Sequence, residues 1–455
     1  MPISSLGVGS GILTQDVLDQ LREADKAKFV TPVELSIANE GDKKNALEII
    51  DANMTNLTDS INAIKSHGLF AERSTSATGT AVEVSAQANT DIQEFTLEVQ
   101  NLATKQIEQS GAFASSTETI AGGSGSMNLN IDGQDFTIDY DATTTLEDLK
   151  KSINDIAGDK VDATIVQINS GEFRLFVSSV DTGTTQDITM TDTGGNLSDS
   201  RLTGGMSAIQ TGIDANFTFN GQAITRTSNR VDDLIVGLDI TLKEVGSSTV
   251  VIEQNRDNIM EKMDSFVDKY NAAVNELNNM TKSSVDSETR GIFSNESTIK
   301  SMKRTLEEMV SNIGGVASMM DYGFDIDKEG KLSLDKELFT AKLDENPRNV
   351  EAFLAGGTFT NADGSSVELE GAFTQIATTV EGYTKYNATL DLFSNSIREN
   401  ISTLEDRKDK AIERLDNKYE ILKKQFAAYD AMINKLNSAS SMFTQLVNTQ
   451  YAASQ

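Results

Sequence analysis

Side chains that commonly act as nucleophiles or general bases are almost absent from this sequence. The chain has one histidine, His67, and no cysteine among its 455 residues, and most acid–base or nucleophilic catalysis recruits one of these two residue types. A mechanism that uses carboxylates alone is the one alternative left open, and the carboxylates are scattered over predicted turns and helix faces. His67 follows a predicted helix, where a protonated imidazole interacts favourably with the helix dipole. We therefore predict no catalytic residue, no cofactor and no enzymatic activity.

One acidic segment begins like the calcium-binding loop of an EF-hand. Asp325, Asp327 and Glu329 would occupy positions 1, 3 and 5 of such a loop. Position 12 is then Lys336, where the loop requires a bidentate Glu. A β-turn that leads into a strand over residues 331–334 explains the same residues. The sequence therefore predicts a structural turn here and no metal site.

The elements around these residues are dominated by helices with narrow apolar stripes. In the first stripe, apolar residues alternate 3 and 4 apart, which puts them all on one side of a helix, as in a coiled-coil seam. We predict that this helix ends near Gly68, a residue suited to the left-handed cap position. A shorter helix is predicted from the N-cap Thr14 to the residues before Pro32. The first stripe consists of Leu47, Ile50, Met54, Leu57, Ile61 and Ile64.

The longest apolar stripe lies near the C-terminus, over residues 391–448. At ~1.5 Å per residue, a helix of this length would extend for about 87 Å, which is too long to be stable alone. Its predicted partners are the first stripe, a further helical stripe over residues 259–277 and other copies of the chain. The C-terminal residues predicted to join the first stripe in an oligomer or filament seam are Leu415, Tyr419, Leu422, Phe426, Tyr429, Ile433 and Leu436.

Between the helical ends, from about residue 79 to 254, apolar residues recur at every second position, which predicts β-strands. Asn169-Ser170-Gly171 reads as a hairpin turn, and residues 145–156 as one short helix. The segments Asp132-Gly133-Gln134 and Asn220-Gly221-Gln222 form a weak repeat. Asx-Gly turns predict hairpins, so each copy is predicted to be a hairpin followed by a helical or turn element.

These patterns predict a multi-domain α+β protein. An α-helical coiled-coil stalk with legs is built from both termini, and β-rich head domains are inserted between them. The head carries much of the negative charge, because residues 80–254 hold 26 acidic and 9 basic residues. The predicted domains are a terminal helical leg domain (1–40 with 405–455), a helical stalk domain with a small β element (41–78 with 255–404), and two β-rich head domains within 79–254.

The overall charge and the absence of long apolar runs exclude several classes of partner. The formal net charge is −30, whereas nucleic acids and anionic lipids select clustered Lys and Arg. No window approaches 18 consecutive apolar residues, and residues 1–11 lack the charged and apolar regions of a cleaved secretory signal. We therefore predict no nucleic-acid partner and no membrane insertion. A role outside the cell would need an export route that cleaves no signal peptide.

Taken in order, several segments resemble the family of bacterial flagellar filament cap proteins. The opening glycine-rich run resembles the start of that family, and the helix that carries Phe266-Val267-Asp268-Lys269-Tyr270-Asn271 resembles the start of its C-terminal region. The two Asx-Gly-Gln repeats resemble a hairpin motif shared with flagellins. The resemblance covers almost the whole chain, in order, and residues 3–11, 216–242, 256–277 and 322–332 carry it most clearly.

The resemblance implies a structural protein at the distal tip of the flagellar filament. Such a protein would form a closed homo-oligomer, promote the incorporation of flagellin and prevent its loss. Its legs, residues 3–39 and 405–455, would contact the filament end, and its head would be exposed. It would leave the cell through the flagellar type III system. A dedicated export chaperone is expected to bind the C-terminal helix near residues 426–446, where the apolar stripe needs cover before assembly.

Two other classes of protein fit parts of the pattern. A subunit of the filament or of the hook–filament junction would share the helical ends and β-rich head, but it would form open-ended polymers instead of a closed oligomer. An adhesin would place its activity in residues 80–254 and would not need the termini. Adhesion through the exposed head is also compatible with a capping role.

Overall fold

The computed structural model describes residues 7, 11–12, 14–197, 200–286, 288–311, 313 and 316–453. The chain divides into two compact units: unit 1 combines Met1–His67 with Met260–Gln455, and unit 2 comprises Gly68–Ile259. The two ends of the chain thus share one largely helical unit, and a β-rich unit is inserted between them. This confirms the predicted α+β class. Most of the predicted opening run, residues 3–11, lies outside the described residues.

Helices and strands follow one another along the chain in the predicted order of helical ends and a β-rich middle. The helices are α1 (Gln15–Phe29), α2 (Thr31–Ile64), α3 (His67–Ala71), α4 (Leu146–Ala157), α5 (Ser200–Thr203), α6 (Arg256–Thr281), α7 (Ser297–Ser311), α8 (Lys336–Glu345), α9 (Pro347–Ala355), α10 (Ala372–Thr384) and α11 (Thr389–Ala453). The strands are β1 (Arg73–Ala77), β2 (Val82–Ala86), β3 (Gln93–Asn101), β4 (Ile107–Gln109), β5 (Gly125–Ile131), β6 (Gln134–Tyr140), β7 (Val161–Asn169), β8 (Glu172–Ser179), β9 (Thr189–Asp192), β10 (Ser207–Gln210), β11 (Ala215–Phe219), β12 (Gln222–Arg226), β13 (Arg230–Val231), β14 (Leu238–Leu242), β15 (Gly246–Gln254), β16 (Phe324–Ile326), β17 (Leu332–Leu334), β18 (Gly357–Thr360) and β19 (Ser366–Leu369).

The first two helices are separated by a single residue, Val30. The Thr14 side chain accepts a hydrogen bond from the backbone N–H of Val17 at 3.3 Å and so caps α1. Pro32 stands in the first turn of α2, where its missing N–H removes no helical hydrogen bond. The predicted helix between Thr14 and Pro32 is therefore confirmed, and α2 begins directly after it.

The prediction that a left-handed Gly68 ends the helix of the first stripe is wrong. Helix α2 ends at Ile64, its C-cap Lys65 keeps right-handed helical backbone, and Gly68 lies inside the short helix α3. Leu69 and Phe70 of α3 are buried. Their burial stabilises a further helical turn at the point where a left-handed glycine would have ended the helical backbone.

Two of the predicted domain boundaries fall inside continuous helices. The boundary between residues 40 and 41 lies within α2, and that between residues 404 and 405 lies within α11. The helices themselves therefore provide no break between a leg and a stalk domain. The division of unit 1 into those two domains stays a prediction.

Unit 1 is held together by an aromatic core on α6, the predicted helix of residues 259–277. The ring centroid of Phe266 lies 4.8 Å from that of Phe373 in α10 and 6.3 Å from that of Phe324 in β16, both in edge-on arrangements. One turn further, the hydroxyl of Tyr270 donates to the Leu306 carbonyl of α7 at 3.2 Å, and burial raises the pKa of this tyrosine. Three elements, α7, β16 and α10, thus meet on one face of α6.

The acidic segment that begins like an EF-hand is the turn of a β-hairpin. Strands β16 and β17 pair antiparallel on either side of it. The Asp327 carboxylate accepts hydrogen bonds from the backbone N–H groups of Glu329 at 3.0 Å and Lys331 at 2.8 Å. Gly330 has φ of +83°. The carboxylate therefore organises the turn, and the predicted strand over residues 331–334 is confirmed.

Unit 2 contains two modules, each with its own hydrophobic core. The residues of one module are inserted in the sequence between the two parts of the other. The outer module, residues 73–103 and 213–254, has a five-stranded sheet in the order β1-β15-β3-β11-β12 and a three-stranded sheet β13-β14-β2. The inner module, residues 104–212, has the sheets β10-β4-β8-β7 and β6-β5-β9. Helix α4 packs on β6 and β7 and supplies part of the inner core.

The predicted hairpins of unit 2 are all present. Strands β5 and β6 are joined by Asp132 and Gly133, with φ of +53° and +70°, and β11 and β12 by Asn220 and Gly221, with φ of +48° and +83°. Positive φ at both central residues defines the turn whose twist suits adjacent antiparallel strands. Ser170 and Gly171 connect β7 to β8. The short predicted helix is α4, whose N-cap Thr145 forms a capping box with Asp148.

A turn at the surface of the inner module is organised by the half-buried Asp192 carboxylate. It accepts hydrogen bonds from the Tyr140 hydroxyl at 2.6 Å and from the backbone N–H groups of Gly194, Gly195 and Leu197, each at 3.0 Å. Burial alone would raise the pKa of Asp192, but these donors hold its pKa below the ordinary value. The ionised form therefore stabilises the folded inner module.

We expect the Asp192→Asn substitution to lower the stability of unit 2 by about 2 kcal/mol at neutral pH, because hydrogen bonds to a charged acceptor are replaced by weaker ones. A carboxylate with a depressed folded pKa stabilises above its unfolded pKa of about 4, and that contribution is lost as pH falls through the folded value. Thermal unfolding at about pH 7 and about pH 3 should show the difference shrinking in acid. Asp162→Asn, at an exposed position of β7, is the control, and an equal loss at both pH values would contradict the assignment.

Candidate functional site

The two ends of the chain meet where α1 packs against α11. Leu18, Leu415 and Tyr419 are at most 9% exposed and form a small core of their own, with Leu422 and Phe426 packed against it. The 3 and 4 spacing along α11 keeps these side chains on one side of the helix. This core attaches the first helix of the chain to the last one.

Ion pairs on both sides of this core fix how α1 lies on α11. The Lys418 ammonium lies 2.6 Å from the Asp25 carboxylate, which also accepts from the Tyr419 hydroxyl at 3.0 Å. These two donors lower the pKa of Asp25. Arg22 lies 2.6 Å from Asp416. Such exposed pairs contribute little energy each, but together they select one register between the helices.

The first predicted seam is buried inside unit 1. Its six members are at most 3% exposed, and α2 packs against α10 and α11 of the same chain. In this arrangement the side chains already fill a core, so another subunit has no access to them. Their proposed role in association with other copies stays a prediction, and the residues concerned are Leu47, Ile50, Met54, Leu57, Ile61 and Ile64.

The second predicted seam changes character along α11. Leu415 and Tyr419 are buried against α1, and Leu422 and Phe426 are half-buried. Beyond them Ile433 is half-buried, whereas Tyr429 is 58% exposed and Leu436 is 63% exposed. The seven residues are thus divided between an intramolecular contact and an open surface. No contact with another copy is part of the structure, so their role in a filament seam stays a prediction.

The open part of α11 presents a continuous apolar surface, which we call the C-terminal stripe. Its members follow the same 3 and 4 spacing, with Ala439 at the remaining position, and their exposed fractions range from 58% to 70%. Large apolar side chains that lie next to one another at such exposure mark a surface for a partner. The C-terminal stripe consists of Tyr429, Met432, Leu436, Phe443 and Leu446.

The residues considered for chemistry have structural roles in this fold. His67 begins α3, and its Nδ1 lies 3.0 Å from the Glu351 carboxylate. Across the described residues, no group of three or more His, Asp or Glu side chains could hold a metal ion. The described helices also include none with the length and apolar character needed to cross a membrane. The C-terminal stripe is the candidate functional surface because its large apolar side chains are exposed.

Comparison with known families decides the affiliation of this chain. The model of the flagellar hook-associated protein 2 N-terminus matches residues 10–106, and that of the C-terminus of the same protein matches residues 212–438. The chain belongs to the flagellar hook-associated protein 2 family. The segments of the resemblance at residues 216–242, 256–277 and 322–332 all lie inside the region that the C-terminal model matches, so the resemblance there is confirmed. Most of the opening run, residues 3–11, precedes the first matched residue.

Individual members of the family match the chain to different extents. Flagellar hook-associated protein 2 of Helicobacter pylori is 31% identical over 252 residues, which cover 53% of this chain and 36% of that protein. The matched part thus spans little more than a third of that relative. The Aeromonas caviae protein of the same description is 25% identical over 479 residues and is matched over 100% of both chains.

A solved structure of the family shares the fold. The D1-D2-D3 domains of the flagellar cap protein FliD from Escherichia coli superpose with a TM-score of 0.59 at 22% identity, over 78% of this chain and 99% of that one. This agreement supports the helical ends and the β-rich middle that the sequence predicted for this chain.

The predicted site missed several residues that the structure places on the open surface of α11. Met432, Phe443 and Leu446 belong to the C-terminal stripe but lay outside the predicted seam, which ended at Leu436. The signal was available, because the 3 and 4 spacing continues to Leu446. The predicted seam included the buried Leu415 and Tyr419 because the spacing of apolar residues does not show which of them are exposed.

Proposed function

We propose that this protein caps the distal end of the bacterial flagellar filament. It assembles into a closed oligomer of its own chain, promotes the incorporation of flagellin and prevents flagellin loss. Family membership and the fold shared with a flagellar cap protein support this role. The observation that carries it is the C-terminal stripe, an apolar surface at the end of a 65-residue helix.

An exposed stripe with coiled-coil spacing has a clear physical requirement. Each exposed large apolar side chain forgoes about 1.5–3 kcal/mol of burial free energy, so the stripe is favourably covered by another apolar helix. In a filament cap, covering surfaces are available from neighbouring subunits and from the helices of the filament end. We therefore assign residues 405–453 of α11 to the legs that contact the filament.

The same stripe explains why a chaperone is expected before assembly. A subunit that travels alone exposes this surface to aggregation. We propose that an export chaperone covers residues 426–446 before assembly. The subunit reaches the filament tip, outside the cell, through the flagellar type III system. Binding of the chaperone to a chain without residues 420–455 would exclude this segment.

The mass of the protein in solution separates the capping role from the alternatives. We expect light scattering to find the full chain as a closed oligomer of a few subunits, and a chain lacking residues 1–40 and 405–455 as a monomer, because the truncated chain has lost the C-terminal stripe. Circular dichroism should verify that the truncated chain keeps its helical and β signals. A chain lacking residues 80–254 is the matched truncation, and it should retain association through the helices.

Each other outcome favours a different class of protein. An open-ended polymer of the full chain would favour a filament or junction subunit. A monomer at all concentrations would leave the apolar surface for a different partner and would favour the adhesin. Adhesion through residues 80–254 stays a prediction, and surface binding that disappears on their deletion while filaments still grow would support it.

A further inference from the structure

A groove in unit 1 lies where the end of α1 and the start of α2 face α11. It encloses about 460 Å³. Phe29 and Val33 form one apolar wall, and Ala411 and Leu415 form the other. Phe29 is 51% exposed although it is a large aromatic side chain. The groove therefore offers an open apolar surface between α11 and the junction of α1 with α2.

The rim of this groove is strongly basic. Arg407, Lys410, Arg414 and Lys418 line it on the α11 side, against the single carboxylate of Asp25. Lys418 is neutralised by Asp25 at 2.6 Å. Lys410 lies only within 3.9 Å of Asp406, and both of these side chains are about 70% exposed, so that pair is weak.

The other two cations of the groove rim are Arg407 and Arg414. Among the described residues, Arg407 and Arg414 form no ion pair. Arg407, Lys410 and Arg414 are spaced 0, 3 and 7 along α11, which places them in a nearly straight line at about 4.5 and 10.5 Å from the first. We call these three residues the basic line. An occupant with anions at the same spacing would neutralise all three.

The same chain carries that complementary pattern on α1. Asp16, Asp19 and Glu23 are exposed and have the identical 0, 3 and 7 spacing. Each of the three lies more than about a quarter-turn around α1 from Leu18, on the other side of the helix. Asp16 and Asp19 accept local hydrogen bonds, from Gln20 at 3.1 Å and Gln15 at 2.8 Å. Asp19 and Glu23 also interact electrostatically with Arg22, which pairs with Asp416. We call Asp16, Asp19 and Glu23 the acidic line.

We propose that the acidic line on α1 of one copy of this chain docks along the basic groove of a second copy. The inference rests on the proposed self-assembly and names the surfaces that direct it. Equal spacing allows three charge pairs to form at once, and the apolar surface of the groove excludes water beneath them, which strengthens each pair. The contact joins two different surfaces, so each subunit uses its acidic line toward one neighbour and its basic groove toward the other. Repeated around an axis, such a head-to-tail contact closes into a ring when the rotation from one subunit to the next divides a full circle, as the proposed closed oligomer requires.

An alternative occupant is the acidic flank of α11 itself. Asp406, Asp409 and Glu413 also have the 0, 3 and 7 spacing. They stand next to the basic residues of their own helix, as the Asp406–Lys410 contact shows. Contact between two identical α11 surfaces would also be two-fold and would stop at a dimer. The acidic line on α1 is the occupant that extends beyond two copies.

Charge reversal in the full-length chain tests the docking. We expect Lys410→Glu with Arg414→Glu, or Asp19→Lys with Glu23→Lys, to raise the protein concentration needed for assembly by about tenfold or more, since like charges then face each other. All four substitutions combined should restore assembly to within about threefold of the original, because the pairs are re-formed with reversed sign. Light scattering over a concentration series, at fixed low ionic strength, gives this midpoint.

Two matched controls separate the outcomes. Lys423→Glu changes the charge on the opposite side of α11, at an exposed position, and should leave the midpoint unchanged. Circular dichroism verifies that each variant is folded. If the original protein assembles but the reversals have no effect, or the combination fails to restore assembly, the docking is wrong while self-assembly stands. Restoration by reversing Asp409 and Glu413 in place of the α1 residues would name α11 as the occupant. A chain that never assembles would overturn the proposed function as well.

Discussion

Replacing Leu436 and Phe443 by Asp is expected to abolish filament capping without unfolding the protein. Both side chains lie on the C-terminal stripe and are 63% and 70% exposed, so the free chain loses almost no burial. On the assembled filament the two carboxylates would be desolvated against apolar partners, which costs several kcal/mol each. Cells whose own cap protein is replaced by this variant should secrete flagellin as monomer, with motility reduced to background. Swimming zones and electron microscopy of filaments measure the result.

A control with the same added charge makes this experiment specific. Asn434 and Gln445 are exposed and lie about half a turn away from the stripe. Asn434→Asp with Gln445→Glu therefore adds two carboxylates to the same helix on its opposite side, and normal motility is expected. Secreted levels of both variants must match the original, because a defect in export would also stop growth. Long filaments built with the Leu436 and Phe443 variant would show that the stripe does not contact the filament.

Replacing Phe266 by Ala is expected to give the largest loss of stability in unit 1. Phe266 is fully buried, and its ring meets those of Phe324 and Phe373, so truncation leaves a cavity where α6, β16 and α10 converge. Removal of a buried Phe costs about 3–5 kcal/mol. Denaturant unfolding followed by far-ultraviolet circular dichroism should report this loss in the transition of the helical unit, while the transition of the β-rich unit stays in place.

The exposed Phe443 provides the control for that measurement. Phe443→Ala removes the same atoms from a side chain that is 70% exposed, and we expect a change within about 0.5 kcal/mol. A loss below about 1 kcal/mol for Phe266→Ala would mean that the aromatic core relaxes around the deletion. It would also mean that unit 1 owes its stability to other contacts than those on α6.

Local elements of this protein were predictable because their signals are local. Thr14 caps α1, Thr145 caps α4, and the Asx-Gly pairs at 132–133 and 220–221 make the hairpin turns expected of them. In each case the side chain or the absence of Cβ acts on backbone within three residues. Gly68 was predicted wrongly for the complementary reason, because burial of the residues that follow it decides the backbone there.

The sequence by itself determined which faces of the helices are apolar, and only the tertiary structure decided what covers them. Residues 47–64 and 429–446 follow the same 3 and 4 spacing. The first set is buried in unit 1 because α10 and α11 return to it from more than 300 residues away, whereas the second extends past the start of α1 and stays exposed. Periodicity records a preference for leaving water, which any apolar surface can satisfy. Whether that surface belongs to the same chain depends on contacts that no local pattern encodes.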